Sequence, residues 1–400
     1  MSNNKFGQAT SFEQLIRVGT SCQWNEDSPE PMAEMDYQEE LKLKDQAFTK
    51  FLQNSGISKS PKKIIASPKP RQYRTTTKRR VFFSNKGLGL GFSKAVKAGT
   101  CVESKLEPEK HQEIYAFLQE TLSKKTYYAL AKALNWLIIR GNYDRQFLIF
   151  NIYKMDADVI RKLKLICTAL KKENLVEGAM AYYDPSRSEY YLEAERPAKG
   201  LQVKYLFGPK LLGLKVKDTL MRYSATGFSQ VNESMVEKMV DLATAMLKPE
   251  KEDILLDLYC GYGLFSHTLG APCKKVLAYE LSSDSIDSAK EIAKRLKTQS
   301  RMQFHAERID ANLVQYKFPP RAQAELILLD PPRQGCEYGV IAGIAKRQPK
   351  RVLEIFCGTD VIPQEILEWE KHGYKTKIIQ PIDMFAGTPN LETMVLFERA

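Results

Sequence analysis

The feature that most restricts how this chain can fold is a rhythm that begins after about Tyr223. The short apolar runs ILLDLY, KKVLAYE, RMQFHAE, AELILLD, KRVLEIF, YKTKIIQPI and TMVLFER succeed one another, and most gaps between them carry helical stretches such as 284–297 and 361–371. Apolar strands alternating with helices imply a mostly parallel sheet covered on both faces. The expected fold class is therefore α/β. Ligands of such sheets bind outside the carboxyl ends of the strands, so the chemistry is to be sought there.

The earlier part of the chain has another texture. Residues 1 to about 35 are polar and acidic, with Pro29 and Pro31, and read as loop. Tyr37, Leu41, Phe48, Phe51 and Leu52 fall near one face of a 3.6-residue period, which predicts a helix. From Pro61 to Arg80 the chain carries Lys62, Lys63, Lys69, Arg71, Arg74, Lys78, Arg79 and Arg80 without an acid, and Tyr73 lies among them. This run reads either as a solvated loop or as a phosphate grip with one stacking aromatic, formed by Arg71, Tyr73, Arg74, Arg79 and Arg80. GLGLGF, from Gly87 to Phe92, comes after the strand-like VFF and precedes no convincing helix, so a glycine-rich hairpin fits better than a phosphate loop. Residues 110–210 mix helix patterns (110–135 and 157–173) with strand patterns (FLIFNIY and SEYYLEA), an α+β middle domain.

The first strand of the C-terminal part ends in Asp257-Leu258-Tyr259-Cys260-Gly261-Tyr262-Gly263. Gly261 and Gly263 make a tight turn that lets backbone approach a ligand. GYGLF departs from the GxGxxG of a dinucleotide loop. The next strand ends in Glu280, roughly 20 residues on, where an acid suits ribose hydroxyls. The fourth strand delivers Asp330 onto Pro331-Pro332-Arg333-Gln334-Gly335, a rigid turn poor in backbone donors and suited to fixing a planar substrate. The fifth delivers Cys357, a candidate nucleophile if its surroundings favour thiolate. Cys260 and Cys336 read as loop filler. Glu392, entering from the loop Asp383–Leu391, is a candidate general base or an ordinary surface acid.

Taken in order, FSQVN (Phe228–Asn232), DLYCGYGLF, Glu280, DPPRQG, Cys357 and DMF…E resemble the uridine C5-methyltransferases of tRNA and ribosomal RNA. A fainter likeness covers SCQW, YQEELKLK and SPKPRQYR near the N-terminus. The resemblance implies a Rossmann-like class I methyltransferase domain with a mostly parallel seven-stranded sheet. It implies that Gln230, Tyr259, Glu280 and Asp330 contact S-adenosylmethionine, that Cys357 is the nucleophile and that Glu392 is the base. It also implies that the helix near 37–52 packs on the catalytic domain. Departures from the family pattern are Gly358-Thr359 where Asn-Pro is usual, Ala386 for Pro, Asn390 for His, and Leu264 for Thr or Asn. Only Cys22 stands where some relatives hold an iron–sulfur cluster on four cysteines, so none is expected.

The expected reaction is methyl transfer from S-adenosylmethionine to carbon 5 of a uridine in structured RNA, with ribosomal RNA slightly favoured over tRNA. A thiolate adds at carbon 6, carbon 5 becomes nucleophilic, and a base later removes its proton. Asp330 and Arg333 are candidates to steer the uracil edge, and Asp257, Gly261 and Gly263 join the cofactor set. The formal charge of +12 and pI of about 9.1 favour a polyanionic partner, nucleic acid before an anionic membrane. Seven scattered cysteines, the absence of a signal-peptide layout in MSNNKFGQAT and the absence of a long apolar run give a cytoplasmic, non-membrane expectation, and a monomer. The expected divisions are 1–60, a helix-bearing N-terminal segment; 61–215, a middle domain and candidate RNA binder; and 216–400, the methyltransferase domain. Three other readings stay open: a methyltransferase acting on another position or on a non-RNA substrate, a non-catalytic RNA-binding or assembly protein that kept the fold, and an NAD(P)-dependent oxidoreductase.

Overall fold

The computed structural model describes residues 10–19, 24, 28–92, 96–187, 202–321 and 324–399. Cys22 and the SEYYLEA run lie outside them. The chain forms two compact units, one of residues 1–71 with 234–400 and one of residues 72–233. These units are bounded at Arg71 and Glu233.

The first unit opens with α1 (Phe12–Gly19) and α2 (Tyr37–Asn54). A loop was expected where α1 stands; Phe12 and Ile16, one helical turn apart, are both buried and hold it on the core. Asp36 starts α2 by accepting from the backbone N–H groups of Gln38 and Glu39, which satisfies two of the helix's open donors. Phe12, Ile16, Phe48, Phe51 and Leu52 are buried in one cluster with Leu256, Trp369 and Phe397, so the N-terminal helices belong to the same core as the C-terminal sheet.

The second unit runs β1 (Thr77–Ser84), β2 (Gly87–Gly91), α3 (Glu109–Leu122), α4 (Tyr128–Ala133), β3 (Leu134–Gly141), β4 (Gln146–Ile152), α5 (Ala157–Lys172), β5 (Gly178–Tyr183), β6 (Gln202–Phe207), β7 (Leu211–Val216) and β8 (Thr219–Ser224). GLGLG is indeed the second strand of a hairpin, paired antiparallel with β1. The six-stranded sheet has the order β2-β1-β3-β4-β5-β6, with β7 and β8 as a separate hairpin. Leu118, Leu122, Leu163 and Ile166 from α3 and α5 share a buried cluster with Leu137, Ile139, Leu148 and Phe150 of the sheet. The helix expected over 110–135 is broken. It stops at Leu122, a short turn and α4 come next, and Leu134 begins β3, whose run LNWLIIRG pairs with β4 through seven positions. Aromatic and β-branched side chains in that run suit a pleated, buried strand.

The chain then continues with α6 (Glu233–Leu247), β9 (Ile254–Leu258), α7 (Leu264–His267), β10 (Lys275–Glu280), α8 (Ser283–Arg295), β11 (Met302–Ala306), β12 (Glu325–Leu329), α9 (Val340–Lys346), β13 (Arg351–Phe356), α10 (Ile362–Lys371), β14 (Tyr374–Ile382) and β15 (Glu392–Arg399). These seven strands form one sheet in the order β11-β10-β9-β12-β13-β15-β14. The first five are parallel; β15 runs antiparallel to both β13 and β14. The chain order reverses at β9, where β10 lies on one side and β12 on the other, which makes a switch point beyond the strand ends. No described helix is long and apolar enough to cross a membrane.

Candidate active site

Register brings the chemistry together. Leu258 of β9 and Leu329 of β12 are paired, and the Asp330 N–H donates to the Leu258 carbonyl at 3.2 Å. Phe356 of β13 is paired with Thr393 of β15. The residue after Phe356 is Cys357 and the residue before Thr393 is Glu392, so an antiparallel pair puts them at the same edge. Asp257, Asp330, Cys357 and Glu392 thus leave neighbouring strands at one end of the sheet.

The glycine turn is built from left-handed backbone. Tyr259, Gly261 and Gly263 have φ of 63°, 54° and 82°. A Cβ on Gly261 would meet nothing within 4 Å, so the turn is open on that side. The Gly261 N–H donates to Glu280 at 3.2 Å, and the other Glu280 oxygen accepts from the Ser282 N–H at 2.8 Å. Asp257 is fully buried; one oxygen accepts from the Ser266 hydroxyl and the other has no partner among the described residues. Burial pushes its carboxyl up to about 7, against the Ser266 hydrogen bonds and with help from Glu280. Burial likewise holds Asp330 well above the usual carboxylate range, reinforced by Glu392, Asp257 and Glu280.

Cys357 is partly exposed, and its sulfur lies 3.9 Å from the Pro331 carbonyl oxygen. Burial pushes its thiol up to about 12; Glu392 and Asp330 add to this, and Arg333 opposes it. Glu392 is 1% exposed, with one oxygen unpartnered among the described residues, and burial raises it to about 7 against the pull of Arg333. The resting thiol is therefore protonated. The strand-end position does not by itself supply the electropositive setting that favours thiolate.

Three supports escape a motif reading. Cys336, expected to be loop filler, donates its thiol to Glu354 at 3.3 Å, while its backbone N–H donates to Glu365. Trp369 holds the other Glu354 oxygen at 2.8 Å. This buried group ties the Asp330–Cys336 turn to β13 and α10, and burial keeps Glu354 well above the usual range. The signal was a carboxylate inside the apolar run RVLEIF. The second is Lys44, fully buried between Glu40 at 2.8 Å and Asp383 at 2.7 Å. Burial opposes its charge, but the two carboxylates outweigh that and hold the ammonium above its ordinary range. The Gly387 N–H also donates to Glu40 at 2.6 Å, so α2 holds the start and the middle of the loop that delivers Glu392. Glu40 and Lys44 lie on the apolar stripe of α2, a pattern visible in the sequence. The third is Gly358, whose Cβ would stand 2.2 Å from the Arg333 carbonyl oxygen, so the two site loops touch where only glycine fits.

The basic run is corrected in part. Tyr73 is fully buried, and Arg79 is 1% exposed in a two-armed ion pair with Glu107, at 2.6 Å for each arm. Arg71 spends its guanidinium on the carbonyls of Met32, Ala33 and Met35 and on Glu40. None of the three is left to grip phosphate, because burying a cation requires partners and each arginine has them, while the Tyr73 ring is closed to a base. Arg74 and Arg80 remain partly exposed. Gln230 is buried in the other unit.

Residues 201–400 match the family model described as tRNA (uracil-5-)-methyltransferase. The chain belongs to that family. An uncharacterized RNA methyltransferase of Clostridium tetani is 23% identical over 382 residues, 90% of this chain and 78% of that protein. An uncharacterized RNA methyltransferase of Chlorobaculum tepidum is 30% identical over 203 residues, 51% of this chain. The match spans 42% of the Chlorobaculum protein's length, and the same share of a relative from Oceanobacillus iheyensis. The tRNA (uracil-54, C5)-methyltransferase of Pyrococcus abyssi, solved with S-adenosyl-L-homocysteine, superposes with a TM-score of 0.69 at 16% identity, over 92% of this chain and 85% of that one. That likeness shows a shared fold. As a member of the uracil-5-methyltransferase family, the chain carries DPPR and a cysteine just past the carboxyl ends of β12 and β13.

Proposed function

We propose that this protein transfers a methyl group from S-adenosylmethionine to carbon 5 of a uridine in RNA, through a covalent adduct on Cys357. The observation that carries the reading is the strand register that sets Cys357 and Glu392 side by side, next to Asp330. Family membership supports it, as do the names of the relatives. Both ribosomal RNA and tRNA are offered as acceptors; the family name and the Pyrococcus abyssi protein lend tRNA more support than the sequence expectation gave it.

The donor set fits the cofactor. Asp257, Glu280, Asp330 and Glu392 act on one another at the strand ends, an acidic neighbourhood. It suits a ligand that carries a sulfonium and an ammonium, and it would repel the pyrophosphate of a dinucleotide. The helix behind the turn is only four residues long, a poor anion cradle. Glu280, with Gly261 and Gly263, would hold the ribose end, Tyr259 and Asp257 would line the turn, and Asp330 would face the methionine end. Gln230 keeps a cofactor role on the family resemblance alone. Bound there, S-adenosylmethionine supplies an electrophilic methyl group.

The protein's own groups do the rest. The sulfur of Cys357, once its proton has passed to solvent, forms a bond to carbon 6 of the uracil, and the ring electrons move toward carbon 5 and the carbonyl oxygen. Arg333 can offset charge on that oxygen, and Asp330 can hydrogen-bond to the uracil edge. After carbon 5 is methylated, charged Glu392 takes the carbon 5 proton. The double bond re-forms, and the carbon–sulfur bond breaks to release thiolate.

The test uses unmodified tRNA and ribosomal RNA with labelled cofactor. Cys357→Ala should give neither adduct nor product. Glu392→Gln should give a labelled protein–RNA band that survives denaturing electrophoresis, because the last step lacks its base. Methylation by Cys357→Ala at the wild-type rate would disprove the covalent route. Wild type that yields neither product nor adduct would shift the weight to a non-catalytic RNA-binding role.

A further inference from the structure

Next to the Asp330–Gly335 turn, three side chains that methyl transfer does not use converge. Cys336 comes from the loop after β12, Glu354 from β13 and Glu365 from α10. One sulfur and one oxygen of each carboxylate all lie within 4.8 Å of one another. Glu354 and Glu365 are buried, at 0% and 6% exposure. Cys336 is partly exposed, which leaves a side from which an ion can enter.

Each carboxylate is held by its outer oxygen. Glu354 Oε2 accepts from the Trp369 indole N–H at 2.8 Å, and Oε1 meets the Cys336 sulfur at 3.3 Å. Glu365 Oε1 accepts from the Cys336 backbone N–H, while the enclosed Oε2 has no donor among the described residues. A Cβ on Gly335 would stand 2.0 Å from Glu365 Oε1, so the turn sets bare backbone against that carboxylate. Outer hydrogen bonds that fix the inner atoms are how ligands are aimed in metal sites.

Glu354 and Glu365 act on each other. Two buried carboxyl groups in that position cannot both carry charge unless something positive lies between them. A proton satisfies one pair of oxygens and leaves the sulfur a weak donor. A divalent ion engages all three atoms at once. Tetrahedral zinc, with Zn–S of ~2.3 Å and Zn–O of ~2.0 Å, sets sulfur and oxygen ~3.5 Å apart. The observed separation of Cys336 and Glu354 is close to that. A thiolate among the ligands favours zinc over magnesium or calcium, which take oxygen.

We infer that Cys336, Glu354 and Glu365 bind one Zn2+ ion. The Cys336 thiol passes its proton to solvent as the sulfur–zinc bond forms, and a proton held between the carboxyl groups leaves the same way. The fourth position falls to water or to the Tyr259 hydroxyl, which is enclosed and acts on all three ligands. The ion joins the Asp330–Cys336 turn to β13 and α10, so its part is to stiffen the turn that carries Asp330 and Arg333. None of the three ligands is assigned to methyl transfer, and the site stands apart from that reading.

The experiment strips the full chain with a chelator and titrates it with Co2+, then with Zn2+ against a chromophoric chelator. Co2+ should add a sulfur-to-metal charge-transfer band at one equivalent, and Zn2+ should displace it. Cys336→Ser should abolish the band. Cys336→Ser and Glu365→Gln, two small and independent changes, should each weaken Zn2+ binding at least about tenfold, the loss that an outer partner alone can cause. Cys357→Ser should keep both the band and the affinity, because that thiol lies outside the cluster. A band that survives Cys336→Ser and vanishes in Cys357→Ser would put the metal at the methyl-transfer thiol and overturn the site. Wild type that binds neither ion would overturn it too, and would leave a proton as the only link between the carboxyl groups.

Discussion

Cys357 is surrounded by groups that keep its proton on. Burial pushes the thiol up to about 12, and Glu392 and Asp330 push the same way. The thiolate fraction of such a group grows about tenfold per pH unit below its pKa. The rate of covalent trapping with 5-fluorouridine RNA should therefore climb with slope near one between roughly pH 6 and 8; a flat profile would mean that the thiol is already ionised. Asp257 gives a separate stability signature. Its folded pKa, about 7, exceeds the unfolded value, so its stabilising share is complete below about pH 4 and is lost as pH rises through 7. Asp257→Asn should flatten the fall of urea midpoint across that window, an effect on the order of a few kcal/mol. A variant whose midpoint falls as steeply as wild type's would show that this carboxyl is solvated.

Elements, more than single side chains, set the aim of the site. The loop before β15 is held by α2 through Lys44, Glu40 and Asp383, all fully buried. Removing one partner of a buried ion group strands the others, so Lys44→Met should cost about 3–5 kcal/mol. Chemical unfolding checks the figure; a loss under about 1 kcal/mol would show that the carboxylates take up protons and stay buried at little cost. The Arg333 turn and Gly358 meet more tightly still. The family's usual Asn at this position would drive its Cβ into the Arg333 carbonyl. Gly358→Asn should thus lower turnover by an order of magnitude or more while S-adenosylhomocysteine binding is kept. Unchanged turnover would mean that the turn yields without consequence.

Across the whole molecule, the proposed reading puts methyl transfer in one unit, at the acidic strand ends of residues 1–71 with 234–400. A ligand that binds only the folded state stabilises by about 2.7 kcal/mol at 100 times its dissociation constant. For units of this size that is a rise of several degrees in unfolding temperature. S-adenosylhomocysteine should produce this rise, and NADH at the same concentration should not. Stabilisation by NADH alone would restore the oxidoreductase reading.

Much of this was legible in residue order. The alternation of apolar runs and helices after Tyr223 defines the parallel sheet, because the two periods are local properties of the chain. The motifs ending in Asp257, Glu280, Asp330 and Cys357 name the strand ends, since a strand that stops at a tight turn presents its last side chains at the rim of the sheet. Order in the chain could not say which strands are neighbours. The pairing of β13 with β15, which sets Glu392 beside Cys357, joins residues through a sheet and is decided by which apolar faces can be covered together. Burial also decided a reading that the sequence left open. Arg79 and Tyr73 read as a phosphate grip or a solvated loop in a basic run, yet they are core. A side chain's charge is written in the sequence, but its partners and its distance from water belong to the packed structure, and those decide whether it grips a ligand, holds a loop or carries a proton.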